Sequence, residues 1–166
     1  MNHTSEKVLL LLIVALLQIH ISACATIQGV WEKIKGRQFE KQTSTREEAA
    51  KSYGYKGLTD ELIVEPPRIN PTVVSPGDKV KQELQFTLLS PQEERRFKVT
   101  KIIDISIGKD TIELARKKSE MTQGTHISIL QFVLPKDIEP GEYKIITSIS
   151  IEKRSKIVHG SFKVKR

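Results

Sequence analysis

Thiols and imidazoles, the side chains most often used in nucleophilic and metal chemistry, are rare in this 166-residue chain, which has one cysteine and four histidines. They are Cys24, His3, His20, His126 and His159. Zinc needs three or four protein ligands, and no two of these residues have ligand spacing. His126 and His159 are predicted to be solvent-facing strand residues. We therefore predict no metal site.

Sequence motifs for catalysis or cofactor binding are also missing. The chain has no G-x-S-x-G elbow, no G-x-G-x-x-G loop and no P-loop. We predict no catalytic residue, no cofactor and no enzymatic activity. A hydrolase with an unrecognised site stays open, because a Ser-His-Asp arrangement can be assembled from residues distant in sequence.

An apolar block lies near the start of the chain. It runs over the twelve residues from Val8 to Ile19, is broken only by Gln18, and follows a polar segment that holds Lys7. Twelve helical residues are too short for a hydrocarbon core of about 30 Å. The block therefore indicates an export signal. A buried helix is the alternative, although such a helix would normally have a polar face.

The stretch Ile21-Ser22-Ala23-Cys24 ends this signal, and the order apolar, small, small, cysteine resembles the lipobox of bacterial lipoproteins. The resemblance implies diacylglycerol transfer to the Cys24 thiol, cleavage before Cys24, and acylation of the new amino group with a chain such as palmitate. Because Ala25 follows in place of a retention aspartate, it also implies the outer membrane of the cell envelope, if the cell has one. A free structural cysteine is the alternative.

Two segments follow the predicted signal peptide, residues 1–23. Residues 24–57 are predicted to be a lipidated tether with a short helix or irregular structure. Within it, residues 25–43 are interpreted as an amphipathic turn whose Trp31 either lies at the lipid headgroups or packs on the domain. Thr45 and Glu48 form a capping-box pattern before a helix that Gly54 would end, with Ser44 and Glu47 as the alternative box. Residues 58–166 are predicted to be a β-domain.

The β-domain is predicted from alternating hydrophobicity. In 79–89 and 97–107, apolar and polar residues alternate with a period of two, and similar patterns continue to the C-terminus. Residues 125–135 are apolar on both faces, which predicts a central strand. About seven strands separated by turn signals, without helices between them, indicate an all-β sandwich.

Several local features of residues 60–166 resemble immunoglobulin-like and fibronectin-III-like domains. They are the prolines of a first edge strand, the turn 75–78 before the second strand, and 140–145, "PGEYKI", at the start of the penultimate strand. The resemblance implies that Tyr143 is a corner tyrosine. It carries over no functional residue, because this architecture supports many activities.

Basic residues are the remaining feature, since the formal net charge is +7. Such a charge favours anionic neighbours. The loop 93–96 has mixed charge and is interpreted as a solvated turn. A denser basic group could bind an acidic polymer, and its alternative is solubilising charge on edge strands. Its members are Arg116, Lys117, Lys118, Lys153, Arg154 and Lys156.

These observations together predict a membrane-anchored envelope lipoprotein, attached through lipid on Cys24. It would act as a non-enzymatic module that binds another envelope protein or an acidic polymer. Nucleic acid is not an expected partner, because exposed aromatic residues that could stack on bases are few. The alternative is a small-ligand or lipid-binding envelope protein, or a hydrolase.

Overall fold

The computed structural model of the chain describes residues 34, 36–152 and 154–166. The predicted signal peptide, Cys24, Trp31 and Lys153 lie outside this part. Within it, no helix has both the length and the apolar character needed to cross a membrane.

The described chain forms ten strands and one short helix, so the predicted all-β sandwich is confirmed, while the predicted count of about seven strands is wrong. Two differences account for the ten. The predicted first strand, residues 62–71, is replaced by three short strands, because Pro66, Pro67 and Pro71 cannot donate ladder hydrogen bonds and the third strand follows Pro71, beyond the predicted range. A further strand precedes the helix. The elements are β1 (Arg37–Ser44), α1 (Arg46–Tyr53), β2 (Glu61–Val64), β3 (Arg68–Asn70), β4 (Val73–Val74), β5 (Lys79–Leu89), β6 (Phe97–Ile107), β7 (Asp110–Met121), β8 (Gly124–Val133), β9 (Gly141–Ile151) and β10 (Arg154–Val164).

The strands form two sheets. Sheet 1 has the order β1-β8-β5-β2, and β3 pairs with the same strand, β5, as β2 does. Sheet 2 has the order β4-β10-β9-β6-β7. Described strand pairs are antiparallel, except β4 with β10, which are parallel. The strand predicted to be central, β8, lies between β1 and β5.

Strand β1 lies inside the range 24–57 that the sequence analysis assigned to a tether. It pairs with β8 from Arg37 opposite Gln131 to Ser44 opposite Thr125. Residues 37–43 are therefore strand, and their interpretation as part of a helical turn is corrected. The pattern failed because the inward-facing side of β1 is polar, including Glu40, while the apolar Phe39 is on its exposed side.

Alternate residues of β5, β6, β8 and β9 fill the space between the sheets. The buried aromatic residues include Phe86, Phe97, Phe132, Tyr143 and Phe162, and the rings of Tyr143 and Phe162 stack at 5.4 Å. Aliphatic side chains fill most of the remaining core. Burial of these apolar side chains supplies the main driving force for folding, since each buried methylene group contributes about 0.8 kcal/mol.

Helix α1 has the predicted caps. The Thr45 side chain accepts a hydrogen bond from Glu48 N, and the Glu48 carboxylate accepts one from Thr45 N. Gly54 ends the helix in a left-handed conformation. The helix contacts β8 and β5, and its Ala49 is buried. The helix therefore covers one end of the outer face of sheet 1.

Candidate interaction surfaces

The predicted basic group is divided by the fold. Its first half, Arg116 to Lys118, lies on β7 at one edge of sheet 2. Arg116 and Lys118 are exposed, and Arg116 pairs with Glu113 at 2.6 Å. Lys117 faces the opposite way and binds Glu40 at 2.7 Å, because neighbouring strand residues point to opposite sides.

The second half lies on β10, beyond β6 and β9. Two intervening strands separate β10 from β7 by about 14 Å. Arg154 and Lys156 occupy exposed positions on the side of β10 that faces sheet 1, and Arg154 donates to the Thr59 hydroxyl at 3.3 Å. The structure therefore does not bring the described members of the predicted group together into one patch.

A buried lysine links the two sheets. Lys101 on β6 has a side chain only 2% exposed, and its Nζ atom binds the Glu40 carboxylate and the Ser128 hydroxyl. The second Glu40 oxygen binds Lys117. We call Glu40, Lys101, Lys117 and Ser128 the Glu40 cluster. It joins β1 and β8 of sheet 1 to β6 and β7 of sheet 2, and so closes one side of the sandwich.

Burial and ion pairing act in opposite directions on the pKa values of this cluster. Burial lowers the pKa of Lys101, and the hydrogen bond and attraction from Glu40 offset only part of that shift. Burial alone would raise the pKa of Glu40, but hydrogen bonds from Lys101 and Lys117 outweigh it and lower that pKa. Both oxygens of Glu40 are thus occupied by lysines, which gives the carboxylate a structural role.

The two histidines of the β-domain have different environments. His159 is exposed on β10, as predicted. His126 is buried, which corrects the prediction that it faces solvent: its Nε2 lies 2.9 Å from Thr122 O and its ring stacks on Phe86 at 5.5 Å. Burial lowers the pKa of His126. In the described part of the chain, no three His, Cys, Asp or Glu side chains cluster in a way that could hold a metal ion.

Gln123 joins three segments at one end of the sandwich. Its Oε1 accepts hydrogen bonds from Ser90 N at 2.6 Å and from Arg46 Nε at 3.2 Å. Its Nε2 donates to Gln92 O and Glu93 O, each at 2.7 Å. The sequence pattern indicated only a turn here, and no periodicity distinguishes a glutamine that satisfies buried backbone groups from one in solvent.

Arg95 joins a second set of loops. Its guanidinium lies 2.6 Å from the Glu152 carboxylate, 3.0 Å from the Asp60 carboxylate and 5.4 Å from the centre of the Phe97 ring. The interpretation of loop 93–96 as a solvated turn is therefore corrected at Arg95. A surface recess of about 190 Å³ lies here, lined in part by Asp60 and Arg154.

The outer face of sheet 1 is basic where α1 does not cover it. Phe39 and Val133, each 51% exposed, lie on this face; Val133 is on β8 with Ile127 and Ile129, between β5 and the strand β1 that holds Phe39. Five cations and one carboxylate surround these apolar residues. We define the basic face by Arg37, Phe39, Lys41, Arg68, Asn70, Lys79, Lys81, Glu83, Ile127, Ile129, Gln131 and Val133.

Charges on the basic face are mostly uncompensated. Lys81 pairs with Glu83 at 2.9 Å, whereas no carboxylate of the described residues forms an ion pair with Arg37, Lys41 or Lys79. A recess of about 310 Å³ lies beside two of these cations, Arg37 and Lys79. At the margin near α1, Glu65 accepts a hydrogen bond from the Tyr53 hydroxyl at 3.0 Å.

The outer face of sheet 2 has a different charge pattern. Cations and carboxylates alternate there, as in the pairs of Arg116 with Glu113 and Arg96 with Glu120. Ile157, which is 60% exposed, lies on this face on β10, at the side of the sheet opposite β7. Burial, with the nearby Glu113 charge, raises the pKa of Asp104 on this face. This face is therefore mixed in charge rather than basic.

Known proteins give little guidance for this chain. No family model matches the sequence, and no curated protein matches it. Several solved structures are similar to it, and three of them match over 63–65% of the chain. The sporulation control protein Spo0M of Bacillus subtilis has 13% identity and a TM-score of 0.45, and a family 123 glycoside hydrolase of Clostridium perfringens has 10% identity and a TM-score of 0.46. The CARDB domain of the PF1109 protein of Pyrococcus furiosus has 12% identity and a TM-score of 0.45. The chain covers 49%, 27% and 94% of those chains respectively. At these TM-scores the similarities carry no argument about function.

Proposed function

We propose that this protein is a lipid-anchored lipoprotein of the bacterial envelope that acts as a non-enzymatic interaction module. One observation carries the proposal: the only cysteine of the chain, Cys24, directly follows Ile21-Ser22-Ala23 at the end of a short apolar block. A single acyl chain anchors a protein only marginally, whereas the two or more chains of a bacterial lipoprotein anchor it stably.

We propose that the fold of this interaction module is an immunoglobulin-like sandwich. Two features support that type. The Tyr143 hydroxyl donates to Glu139 O at 2.7 Å, four residues upstream at the start of the penultimate strand, as a corner tyrosine does. The short strand β4 pairs in parallel with the last strand, β10, whereas β2 and β3 pair with β5, so the segment from β2 to β4 passes from sheet 1 to sheet 2.

Interaction is proposed over catalysis because most of the described buried polar groups bind one another. The Gln123 side chain, the Glu40 cluster and Gln82, which donates to the Thr147 hydroxyl at 2.9 Å, all have protein partners. Such hydrogen bonds stabilise and position a fold. They leave the outer surfaces for partners.

The partner site is proposed on β7 and the adjacent outer face of sheet 2. Strand β7 is twelve residues long and pairs with β6 on one side only among the described strands. An open strand edge can accept a strand from another protein. Because exposed charges of both signs alternate here, an envelope protein fits better than an acidic polymer.

Lipidation tests the anchor directly. We expect the chain from a bacterial membrane fraction to start at Cys24 and to carry diacylglycerol and an amide-linked acyl chain in intact-mass spectra. Cys24→Ser should abolish both modifications. Ser22→Ala, which keeps a small residue in the lipobox, should retain them. An unmodified Cys24 in the wild-type chain would overturn the anchor.

Photo-crosslinking in intact cells tests the partner site. A photoreactive amino acid in place of Lys118 on β7 should give an adduct of discrete mass. The matched control replaces Lys51 on α1, which is also exposed but lies on the other sheet. The same adducts from both positions, or none from position 118, would contradict a partner site on β7.

A further inference from the structure

We propose that the basic face docks on an anionic lipid bilayer, so that sheet 1 lies against the membrane and sheet 2 points away from it. This inference rests on the proposed lipid anchor, since the anchor keeps the domain near a bilayer. It adds an orientation and a second membrane contact that an anchor alone does not require.

Charge and apolar surface coincide on this face. Arg37, Lys41 and Lys79 have no carboxylate partner among the described residues, and they surround Phe39 and Val133, which are half-exposed. Anionic headgroups attract cations near a membrane surface, and apolar side chains can enter the boundary with the acyl chains. The outer face of sheet 2 does not have an excess of unpaired cations, because carboxylates there alternate with the cations.

Chain length also favours this side of the domain. Strand β1 belongs to the basic face, and only nine residues separate Cys24 from Ile34, which precedes β1 and is buried in the domain. Even fully extended, this segment spans at most about 35 Å, less than the thickness of one bilayer with its headgroups. A domain attached through β1 by so short a connection samples orientations in which β1 and its neighbours are close to the lipid.

Long charged side chains suit such a contact. Lys41 and Lys79 can extend their ammonium groups to phosphates while their methylene stems lie along Phe39 and Val133. The recess beside Arg37 and Lys79, about 310 Å³, is large enough for a phosphate group. The ligand chemistry on this face is therefore an anionic phospholipid surface.

Depth-dependent fluorescence quenching tests the orientation in the full chain. The native Trp31 is first replaced by phenylalanine, and a single tryptophan is then introduced by Phe39→Trp on the basic face or by Ile157→Trp on the outer face of sheet 2. Each chain is reconstituted in vesicles of brominated phosphatidylcholine, with or without phosphatidylglycerol. We expect phosphatidylglycerol to increase quenching severalfold at position 39 and to leave position 157 unchanged.

Matched charge reversals provide the control. Lys41→Glu with Lys79→Glu should remove most of the added quenching at position 39, since each lysine near an anionic surface contributes roughly fivefold to binding. Lys98→Glu with Lys144→Glu, an equal change on the outer face of sheet 2, should have little effect. High salt should also remove most of the added quenching at position 39, because it screens surface charge.

The outcomes separate this inference from the proposed function. A lipidated chain that floats with the vesicles but shows equal quenching at positions 39 and 157 overturns the docking face and leaves the anchor intact. An unmodified Cys24 overturns the anchor, and the same quenching comparison on that chain then decides the face independently. Emission at position 39 that shifts with protein concentration in the absence of vesicles would overturn lipid docking in favour of a second copy of the chain.

Discussion

Glu40→Ala should lower the free energy of unfolding by about 3 kcal/mol, as measured by urea denaturation. The substitution leaves the Lys101 ammonium group buried without its carboxylate, and the penalty for an uncompensated buried charge is large. Lys117 adds little to the loss, because its side chain is 41% exposed and can turn to solvent.

Two further variants separate the buried charge from a general effect of losing a carboxylate. Glu113→Ala breaks an exposed pair with Arg116 and should change the free energy of unfolding far less than Glu40→Ala does, because solvent screens exposed charges. Glu40→Leu combined with Lys101→Met removes both buried charges and should restore most of the stability lost in Glu40→Ala. Equal losses from Glu40→Ala and Glu113→Ala would contradict the role of the Glu40 cluster.

The pH dependence of stability provides an independent test of the buried pair of Glu40 and Lys101. Because the folded-state pKa of Glu40 is below its ordinary value of 4.5, its contribution is complete above that value and is lost as the pH falls through the folded pKa. Glu40→Gln should therefore flatten this acid limb. The lowered pKa of Lys101 acts at alkaline pH. Between its folded-state pKa and the ordinary lysine value of 10.5, the unfolded chain binds more protons than the folded chain, so stability should rise with pH in that range. Lys101→Met should remove that rise.

Gly124→Ala should cost about 4 kcal/mol, the combined effect of strain at positive φ and of overpacking. Gly124 begins β8 with φ at 119°. A Cβ atom at this position would clash with Ser44 O and lie 2.8 Å from Gln42 Nε2. The junction between β1 and α1 would have to move, so we also expect faster hydrogen exchange in β1.

Gly108→Ala is the matched control. Gly108 also has positive φ, at 57°, but an added Cβ would meet no atom within 4 Å. It should cost about 1 kcal/mol, the conformational penalty alone. If both alanine variants lost the same stability, crowding at Gly124 would not contribute.

The sequence predicts the regular part of this fold well. Residues 79–89 and 97–107 alternate because one side of each strand faces the core, and Thr45 with Glu48 satisfies the first backbone groups of α1. Both signals are local, so they can be read without knowing the neighbours of each strand. The number of strands was missed only where prolines interrupt one and where β1 adds another.

The candidate sites depend on pairing between distant segments, which a single sequence does not encode in a readable way. Strand β1 faces inward with polar groups, and Glu40 is favourable there only because Lys101 lies opposite on the other sheet. Position 101 is a lysine in an otherwise apolar row of β6, and that interruption was the one available signal. Likewise, alternation on β7 separates Lys117 from Arg116 and Lys118.

Strand β1 also determines where mechanical force would enter the domain. In a chain held by lipid at Cys24, as we propose, pulling would first load the buried Ile34 and would then peel β1 from β8 from Arg37 onward. Detaching Glu40 separates it from Lys101, so resistance to peeling rises at that point. Beyond it, Gln42 is held by its hydrogen bond to Gln123 O at 3.0 Å. In a chain anchored in this way, resistance to force would therefore come from an ion pair between the sheets as well as from buried apolar side chains such as Ile34.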